Sequence, residues 1–170
     1  MIILGLNHGE INSSSVILKN GKILAGSPEE RFIRIKKTKS FPKNSIEYCL
    51  SEADITLKEC DYVAQAWNPG EYWRKFNPLL SGNRIKREDY LYTVRDNLYD
   101  FTERKSPSWT LLDSEGDEMP PIYFVRHHLT HAANAFFLSP FDEAAILTCD
   151  HKGEFETTTF GLGKNLDIEI

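Results

Sequence analysis

The Asn20-Gly21 dipeptide constrains the fold of this chain more than any other feature, because it stands between two short apolar segments. Asn-Gly favours a two-residue hairpin turn between antiparallel strands. Residues 14–18 and 22–27 are therefore predicted strands, and the aliphatic run 2–6 predicts a third. The chain is expected to open with a three-stranded meander whose first connection, residues 7–12, is polar.

Strand and helix patterns alternate after this meander. Ile46, Cys49, Leu50 and Ala53 repeat at helical spacing behind Pro42 and predict a helix that ends near Asp54. Further predicted elements are strands at 62–67, 122–125, 144–149 and 157–162, and an alanine-rich helix at 128–138. The order β-β-β-α-β-insertion-β-α-β-β is typical of the ribonuclease-H-like fold of actin-like ATPases. The expected class is therefore α/β, with a mixed sheet and flanking helices.

Residues 71–118 are predicted to be an insertion in this domain. The segment is rich in aromatic and charged residues, which argues against disorder and favours one or two helices with long loops. Its aromatic side chains could form a satellite core under the insertion or a docking surface.

Composition narrows the classes of protein to which the chain could belong. The 170 residues are 41% hydrophobic and carry a net charge of −5, which fits one soluble domain and argues against a dedicated nucleic-acid binder. No apolar run is long enough to cross a membrane, and the start of the chain lacks the features of a signal peptide. The three cysteines form no C-x-x-C pair and are expected to be free thiols. We therefore expect a cytoplasmic protein.

Three of the five histidines occur within residues 127–131, after a predicted strand and at the start of a predicted helix. His127 and His131 are four positions apart, so they share a helical face and can converge on one metal ion. Such a site needs further ligands from carboxylates, water or phosphate. Surface or core histidines without a metal are the alternative. His128 points elsewhere and could cap the helix or orient its neighbours.

A second candidate segment follows the strand at 144–149. Asp150 ends that strand, and Gly153 allows a tight turn before Thr157 and Thr158. An acidic residue, a glycine turn and hydroxyl groups can hold a metal–phosphate group. An ordinary hairpin with polar ends is the alternative.

The polar loop after the first strand is the third candidate. Gly9 permits close backbone approach, and Ser13 offers a hydroxyl donor, although a plain polar hairpin would look the same. Two strand–turn–strand units, one at each end of a ribonuclease-H-like sheet, would hold phosphates from two sides. A basic run at 31–39 could be a cationic lid for a phosphate-bearing substrate or a solvated loop.

Four segments together resemble carbamoyltransferases of the nodulation and antibiotic-biosynthesis type. They read ILG-x-N…S at the N-terminus, PEERF-x-R followed by FP and YCL, HHL-x-HAA-x-AFF-x-SPF, and D-x-x-GE-x-x-TTT-x-G-x-G. The resemblance covers nearly the whole chain except residues 71–118, and the histidine segment is its most specific part. Such enzymes are similar to the tRNA threonylcarbamoyl-transfer proteins, which have an actin-like domain of two lobes and a YrdC-like domain.

The resemblance implies a reaction and its cofactors. Carbamoyl phosphate and ATP would give a carbamoyl-adenylate, and the carbamoyl group would pass to a hydroxyl of a sugar or small-molecule acceptor. An iron ion, Fe(2+) or another divalent metal, would help to bind the nucleotide and the activated carbamoyl group. A homodimer could be the assembly.

The resemblance also assigns site residues. The metal ligands would be His127, His131 and Asp150. Cofactor contacts would come from two turns, and their residues are Gly9, Ser13, Asp150, Gly153, Glu154, Thr157 and Thr158. Candidate catalytic residues are His8, Glu10, Arg31 and Lys37. The family's Gly-His-Asp-Ala-Ser loop is altered here, so His8 or Glu10 would have to replace its His-Asp pair.

The resemblance implies that residues 1–170 are the first lobe of the actin-like domain, without the second lobe or the YrdC-like domain. The chain alone is then expected to be inactive. Two other functions remain open. A sugar-kinase or ATPase-like phosphoryl transferase would release ADP instead of AMP and would need no paired histidines. A non-catalytic binding module would use the aromatic insertion to bind a partner.

Overall fold

The structure is a computed structural model that describes residues 1–9, 12–73, 89–101 and 119–170. Its strands are β1 (Ile2–Asn7), β2 (Ser14–Lys19), β3 (Lys22–Pro28), β4 (Tyr62–Gln65), β5 (Ile122–Phe124), β6 (Glu143–Cys149), β7 (Thr158–Lys164) and β8 (Asp167–Glu169). Its α-helices are α1 (Glu30–Ile33), α2 (Lys43–Ala53), α3 (Gly70–Trp73), α4 (Asp89–Leu98) and α5 (His127–Phe137). Short 3₁₀ helices span Leu57–Glu59 and Tyr99–Phe101.

The first five strands form one mixed sheet in the order β3-β2-β1-β4-β5. The pairs β1–β2 and β2–β3 are antiparallel, whereas β1–β4 and β4–β5 are parallel. An antiparallel meander extended by parallel, helix-connected strands is the ribonuclease-H-like arrangement, so the predicted fold class is confirmed.

The last three strands form a separate antiparallel sheet in the order β6-β7-β8. The prediction that both strand–turn–strand units belong to one sheet is therefore wrong. Sequence periodicity predicts individual strands, but sheet membership depends on pairings between distant segments. The second sheet repeats the antiparallel order of β1, β2 and β3.

The predicted hairpin turn is present between β2 and β3. Asn20 and Gly21 have φ angles of 51° and 78°, the left-handed values that a two-residue turn of this kind requires. The pairing continues from Lys19–Lys22 to Ser14–Pro28 and is interrupted by a bulge at Ile17 and Leu18.

Helix α2 packs against β2 and β3 and builds the main core. Ile46 and Cys49 are fully buried, and Leu4, Ile17 and Val63 from the sheet belong to the same cluster. The helix begins where the buried carboxylate of Glu29 accepts hydrogen bonds from the backbone N–H groups of Asn44 and Ser45. It ends at Asp54, as predicted, in a left-handed C-cap conformation.

Some local predictions differ from the structure. The sequence of the charged segment after β3 predicts a loop, but the segment contains the short helix α1, which Arg34 ends in a left-handed conformation. Strand β4 ends at Gln65 and not at Trp67. Within the predicted insertion, α4 confirms that a helix is present, and residues 74–88 and 102–118 lie outside the described residues.

Cys49 and Cys60 are buried free thiols, and Cys149 is an exposed one. In the part of the chain that the structure describes, no helix combines the length and the hydrophobicity that a membrane span requires.

Candidate metal centre

Helix α5 brings the two predicted metal histidines together. His127 is its first residue, and His131 lies one turn later on the same face. The two Nε2 atoms are 3.0 Å apart. Asp150 completes the cluster, because its Oδ2 atom lies 2.7 Å from Nε2 of His127 and 3.1 Å from Nε2 of His131. The structure thus joins all three residues that were predicted as metal ligands.

Asp150 reaches the histidines because it directly follows β6 and begins the turn to β7. Its backbone N–H donates to the carbonyl of Thr157 across that turn. The hydrogen bond with His127 is the main cause that lowers the pKa of Asp150 to about 2, and the N–H of His151 and the ring of His131 lower it further. The carboxylate is therefore ionised at neutral pH.

The spacing of these atoms fits a divalent metal. Metal–ligand bonds of about 2.1 Å at right angles separate two ligand atoms by about 3.0 Å, whereas tetrahedral angles separate them by about 3.4 Å. The observed separations of 2.7, 3.0 and 3.1 Å are closer to one face of an octahedron. Two imidazoles and a carboxylate on one face suit Fe(II), and imidazole and carboxylate ligands also suit zinc and manganese.

One side of the cluster is open to solvent. The side chain of His131 is 47% exposed and that of Asp150 is 36% exposed, whereas that of His127 is 19% exposed. Water or phosphate oxygens could therefore reach a cation from this side. The Nδ1 atom of His127 is buried and has no hydrogen-bond partner among the described residues.

The buried carboxylate of Glu154 lies at the N-terminus of α5. Both of its oxygens accept from the backbone N–H of His127 at 3.0 Å. One of them also accepts from the N–H of Asn68, which follows β4, at 2.9 Å. Glu154 was predicted as a cofactor ligand, and that role stays a prediction. Its oxygens bind backbone groups in the structure.

His128 docks the second sheet onto α5. Its ring is fully buried, and its Nε2–H donates to the carbonyl of Glu156 at 2.9 Å. That donor leaves Nδ1 as an acceptor for the hydroxyl of Thr148 at 2.6 Å, and Thr148 in turn accepts from Thr159. The sequence-based suggestion that His128 orients its neighbours is consistent with these contacts.

Gly153 is buried against His128. A Cβ atom at this position would lie 2.5 Å from Cδ2 of His128 and 2.9 Å from the carbonyl oxygen of Glu156, so close packing requires glycine. Thr157 and Thr158 are exposed beside it. The phosphate-binding roles of Gly153, Thr157 and Thr158 stay predictions.

Gly9 and Ser13, in the described part of the β1–β2 loop, bind the basic segment. The N–H of Gly9 donates to the carbonyl of Lys39, and both the N–H and the hydroxyl of Ser13 donate to the carbonyl of Thr38. Because Ser13 is fully buried, its hydroxyl supports the loop. Glu10, a candidate catalytic residue, lies outside the described residues.

His8 lies in the interior, where its Nδ1 contacts Oε1 of Gln65 at 3.1 Å. Burial is the main cause that lowers its pKa from 6.5 to about 4, so the ring is neutral at neutral pH. Arg31 and Lys37 are exposed. Among the described residues, no hydrogen bond or ion pair joins either side chain to the histidine cluster. The catalytic roles of His8, Arg31 and Lys37 stay predictions.

Sequence reasoning missed the aromatic neighbour of the cluster. The ring of Trp67 is buried, and its centroid lies 5.4 Å from that of His127. The Nζ atom of Lys152 lies over the same indole ring at 5.6 Å. The only local signal was that Trp67 is the last residue of the predicted strand 62–67.

Comparison with known proteins gives distant but long matches. The chain is 37% identical over 176 aligned positions to an uncharacterized protein of Synechocystis, sll1178, and this match covers 95% of the chain and 27% of that protein. It is 30% identical to the nodulation protein NolNO of Sinorhizobium fredii, over 93% of the chain and 22% of that protein. The chain therefore spans about a quarter of the length of these relatives. Among solved structures, YeaZ from Pseudomonas aeruginosa matches 95% of the chain and 59% of its own length, at 16% identity and a TM-score of 0.47.

The family comparison covers almost every residue. A family described as "Carbamoyltransferase N-terminus" matches residues 2–170. That match includes both turns, the histidine helix and Asp150. The chain belongs to this carbamoyltransferase N-terminal family.

Proposed function

We propose that this chain supplies the metal-binding part of the active site of a carbamoyltransferase. The observation that carries the proposal is the convergence of His127, His131 and Asp150 in a chain of this family. Because the relatives are about four times longer, the activity is proposed for a full-length protein that contains this sequence.

The proposed reaction has two stages. Carbamoyl phosphate first loses inorganic phosphate by hydrolysis to give carbamate. The carbamate oxygen then attacks the α-phosphorus of ATP, which forms carbamoyl-adenylate and releases pyrophosphate. In the second stage a hydroxyl of a sugar or small-molecule acceptor attacks the carbamoyl carbon. The acceptor loses its proton, an O-carbamoyl bond forms, and AMP leaves.

His127, His131 and Asp150 would hold the metal, for which we propose Fe(2+). Asp150 is ionised at neutral pH, and each imidazole would bind through Nε2 in its neutral form. When bound, a divalent ion would neutralise negative charge on phosphate and carbamoyl oxygens. The exposed side of the cluster leaves room for these oxygens.

The β1–β2 loop and the β6–β7 turn would bind ATP phosphates mainly through their backbones. The hydroxyl of Ser13 and the carboxylate of Glu154 already have partners within the protein. The hydroxyls of Thr157 and Thr158 are exposed and could donate to phosphate. In this proposal the basic residues Arg31 and Lys37 add positive charge near the first loop.

Product analysis tests the proposed function. The full-length protein is incubated with carbamoyl phosphate, ATP and a panel of sugar acceptors, and nucleotide products are separated. AMP, pyrophosphate and a carbamoylated acceptor are expected. Release of ADP would favour a phosphoryl transferase, and absence of turnover with every acceptor would contradict the proposal.

A histidine control makes the test specific to the site. The double variant His127→Ala/His131→Ala should lose carbamoyl transfer to the acceptor by at least about a hundredfold if metal binding is needed. His151→Ala removes an exposed imidazole from the β6–β7 turn, next to Asp150, and should retain activity. Equal activity of the double variant and the control would contradict a role for the cluster.

A further inference from the structure

Helix α5 begins without a cap from its own sequence. Arg126 occupies the N-cap position, and its side chain makes no capping hydrogen bond. The first N–H of the helix, that of His127, is instead bound by the Glu154 carboxylate, which comes from the β6–β7 turn. A negative charge at this point also stabilises the positive end of the helix dipole.

Glu154 joins three segments that meet at the metal cluster. Glu154 is 4% exposed, and its side chain reaches the start of α5 and Asn68 in the segment after β4. Asn68 directly follows Trp67, whose ring packs on the ring of His127. One carboxylate therefore binds both the backbone of His127 and the segment after β4 that contains Trp67.

Within the described part of the chain, the ring of His127 lacks the second hydrogen bond that metal-bound histidines ordinarily have. Such a ring usually donates its second N–H to a carboxylate, a carbonyl or water, which fixes its orientation. The Nδ1 atom of His127 is buried and has no partner among the described residues. The ring of His127 is oriented by its contacts with Asp150 and His131 and by the packing of Trp67. Glu154 binds the backbone N–H of His127 and that of Asn68, which follows Trp67.

We propose that Glu154 is a positioning residue that holds His127 in the geometry required for metal binding. This inference rests on the proposed function, because it assumes a metal at the His127–His131–Asp150 cluster. Glu154 is not among the three residues whose ligand atoms converge, and its oxygens accept backbone N–H groups. Loss of its charge would let the start of α5 and the Trp67 ring shift relative to Asp150.

The test compares Glu154→Gln with Glu156→Gln in the chain of 170 residues. The glutamine at 154 keeps the shape of the side chain, but its NH₂ group faces a backbone N–H and cannot accept from it. Glu156 lies in the same turn, and its carboxylate pairs with Arg126 at 3.6 Å near the surface. Co²⁺ affinity is measured by competition with a chromophoric chelator, and the visible spectrum of bound Co²⁺ is recorded.

Glu154→Gln should bind Co²⁺ at least about tenfold more weakly than the wild type and give an altered spectrum. Glu156→Gln should match the wild type in both. A merely structural role would lower the unfolding temperature but leave the affinity and spectrum of the folded protein unchanged, and that result would overturn the inference. If Glu154→Gln does not fold, Glu154→Asp keeps the charge on a shorter side chain and should also bind Co²⁺ more weakly.

Two failures can be told apart. If Glu154→Gln binds Co²⁺ as tightly as the wild type, the positioning role is rejected and the proposed function stands. The same holds for Glu154→Asp where only that variant folds. A wild-type chain that binds no Co²⁺ would contradict both.

Discussion

Asp150 Oδ2 lies 2.7 Å from Nε2 of His127, although the two residues are 23 positions apart and belong to different elements. The packing of α5 on the second sheet explains this contact. At the far end of the helix, the ring of Phe136 packs against Gly163. A Cβ atom on Gly163 would lie 2.6 Å from that ring. At the near end, His128 fastens the β6–β7 turn to the helix. The cluster geometry therefore depends on how well the helix and the second sheet fit together.

Gly153→Ala tests the close packing under the cluster. The added Cβ would overlap the His128 ring and the Glu156 carbonyl, so the turn must move away from α5. We expect a loss of about 1–3 kcal/mol in the free energy of unfolding, measured by urea denaturation. Gly26→Ala is the control, because its nearest atom would be 3.3 Å away. Equal stability of the two variants would contradict the packing argument.

Thr148→Val tests the hydrogen-bond chain that holds His128. The substitution removes the hydroxyl that donates to Nδ1 of the buried ring and leaves that nitrogen unsatisfied. A loss of about 1–3 kcal/mol in the free energy of unfolding is expected. Thr158→Val, at an exposed position on the neighbouring strand, should change stability by less than about 0.5 kcal/mol. A neutral Thr148→Val would show that His128 does not need this partner.

His8 should make stability depend on pH. Its pKa is about 4 in the folded protein and 6.5 for an unperturbed histidine, so between these values the unfolded chain binds more protons than the folded chain. The contribution of His8 to the free energy of unfolding is then fully present above about pH 6.5. It is lost as the pH falls toward 4, and the loss amounts to about 3 kcal/mol.

His8→Asn provides the comparison, because an amide nitrogen can replace Nδ1 beside Gln65. The variant is expected to be less stable at neutral pH, since it leaves space that the ring had filled. Its stability should nevertheless vary less with pH between about 4 and 6.5 than that of the wild type. Parallel pH profiles from chemical denaturation would show that His8 does not carry the effect.

Local signals predicted much of the fold. Asn20-Gly21 requires left-handed backbone angles that few other residue pairs adopt, so the hairpin between β2 and β3 was predictable. The spacing of Ile46 and Cys49 predicted the buried face of α2 for a similar reason. The convergence of His127 and His131 also follows from one helical turn.

Contacts between distant segments were not predictable in this way. No local pattern shows that the strand before Asp150 belongs to a second sheet, or that Glu154 binds the N-terminus of α5. His8 was predicted to lie in the polar loop after the first strand, and the structure places it in the interior beside Gln65. In each case the side chain is placed by packing between elements, which the periodicity of one segment does not contain.

Metal binding by the isolated chain tests the central claim most directly. Fe²⁺ is titrated anaerobically into the wild type, the double variant His127→Ala/His131→Ala and the control His151→Ala, and bound metal is quantified by elemental analysis after desalting. We predict one ion per chain in the wild type and the control, and a loss of at least about tenfold in affinity in the double variant. Equal metal content in all three proteins, or none in the wild type, would contradict the account.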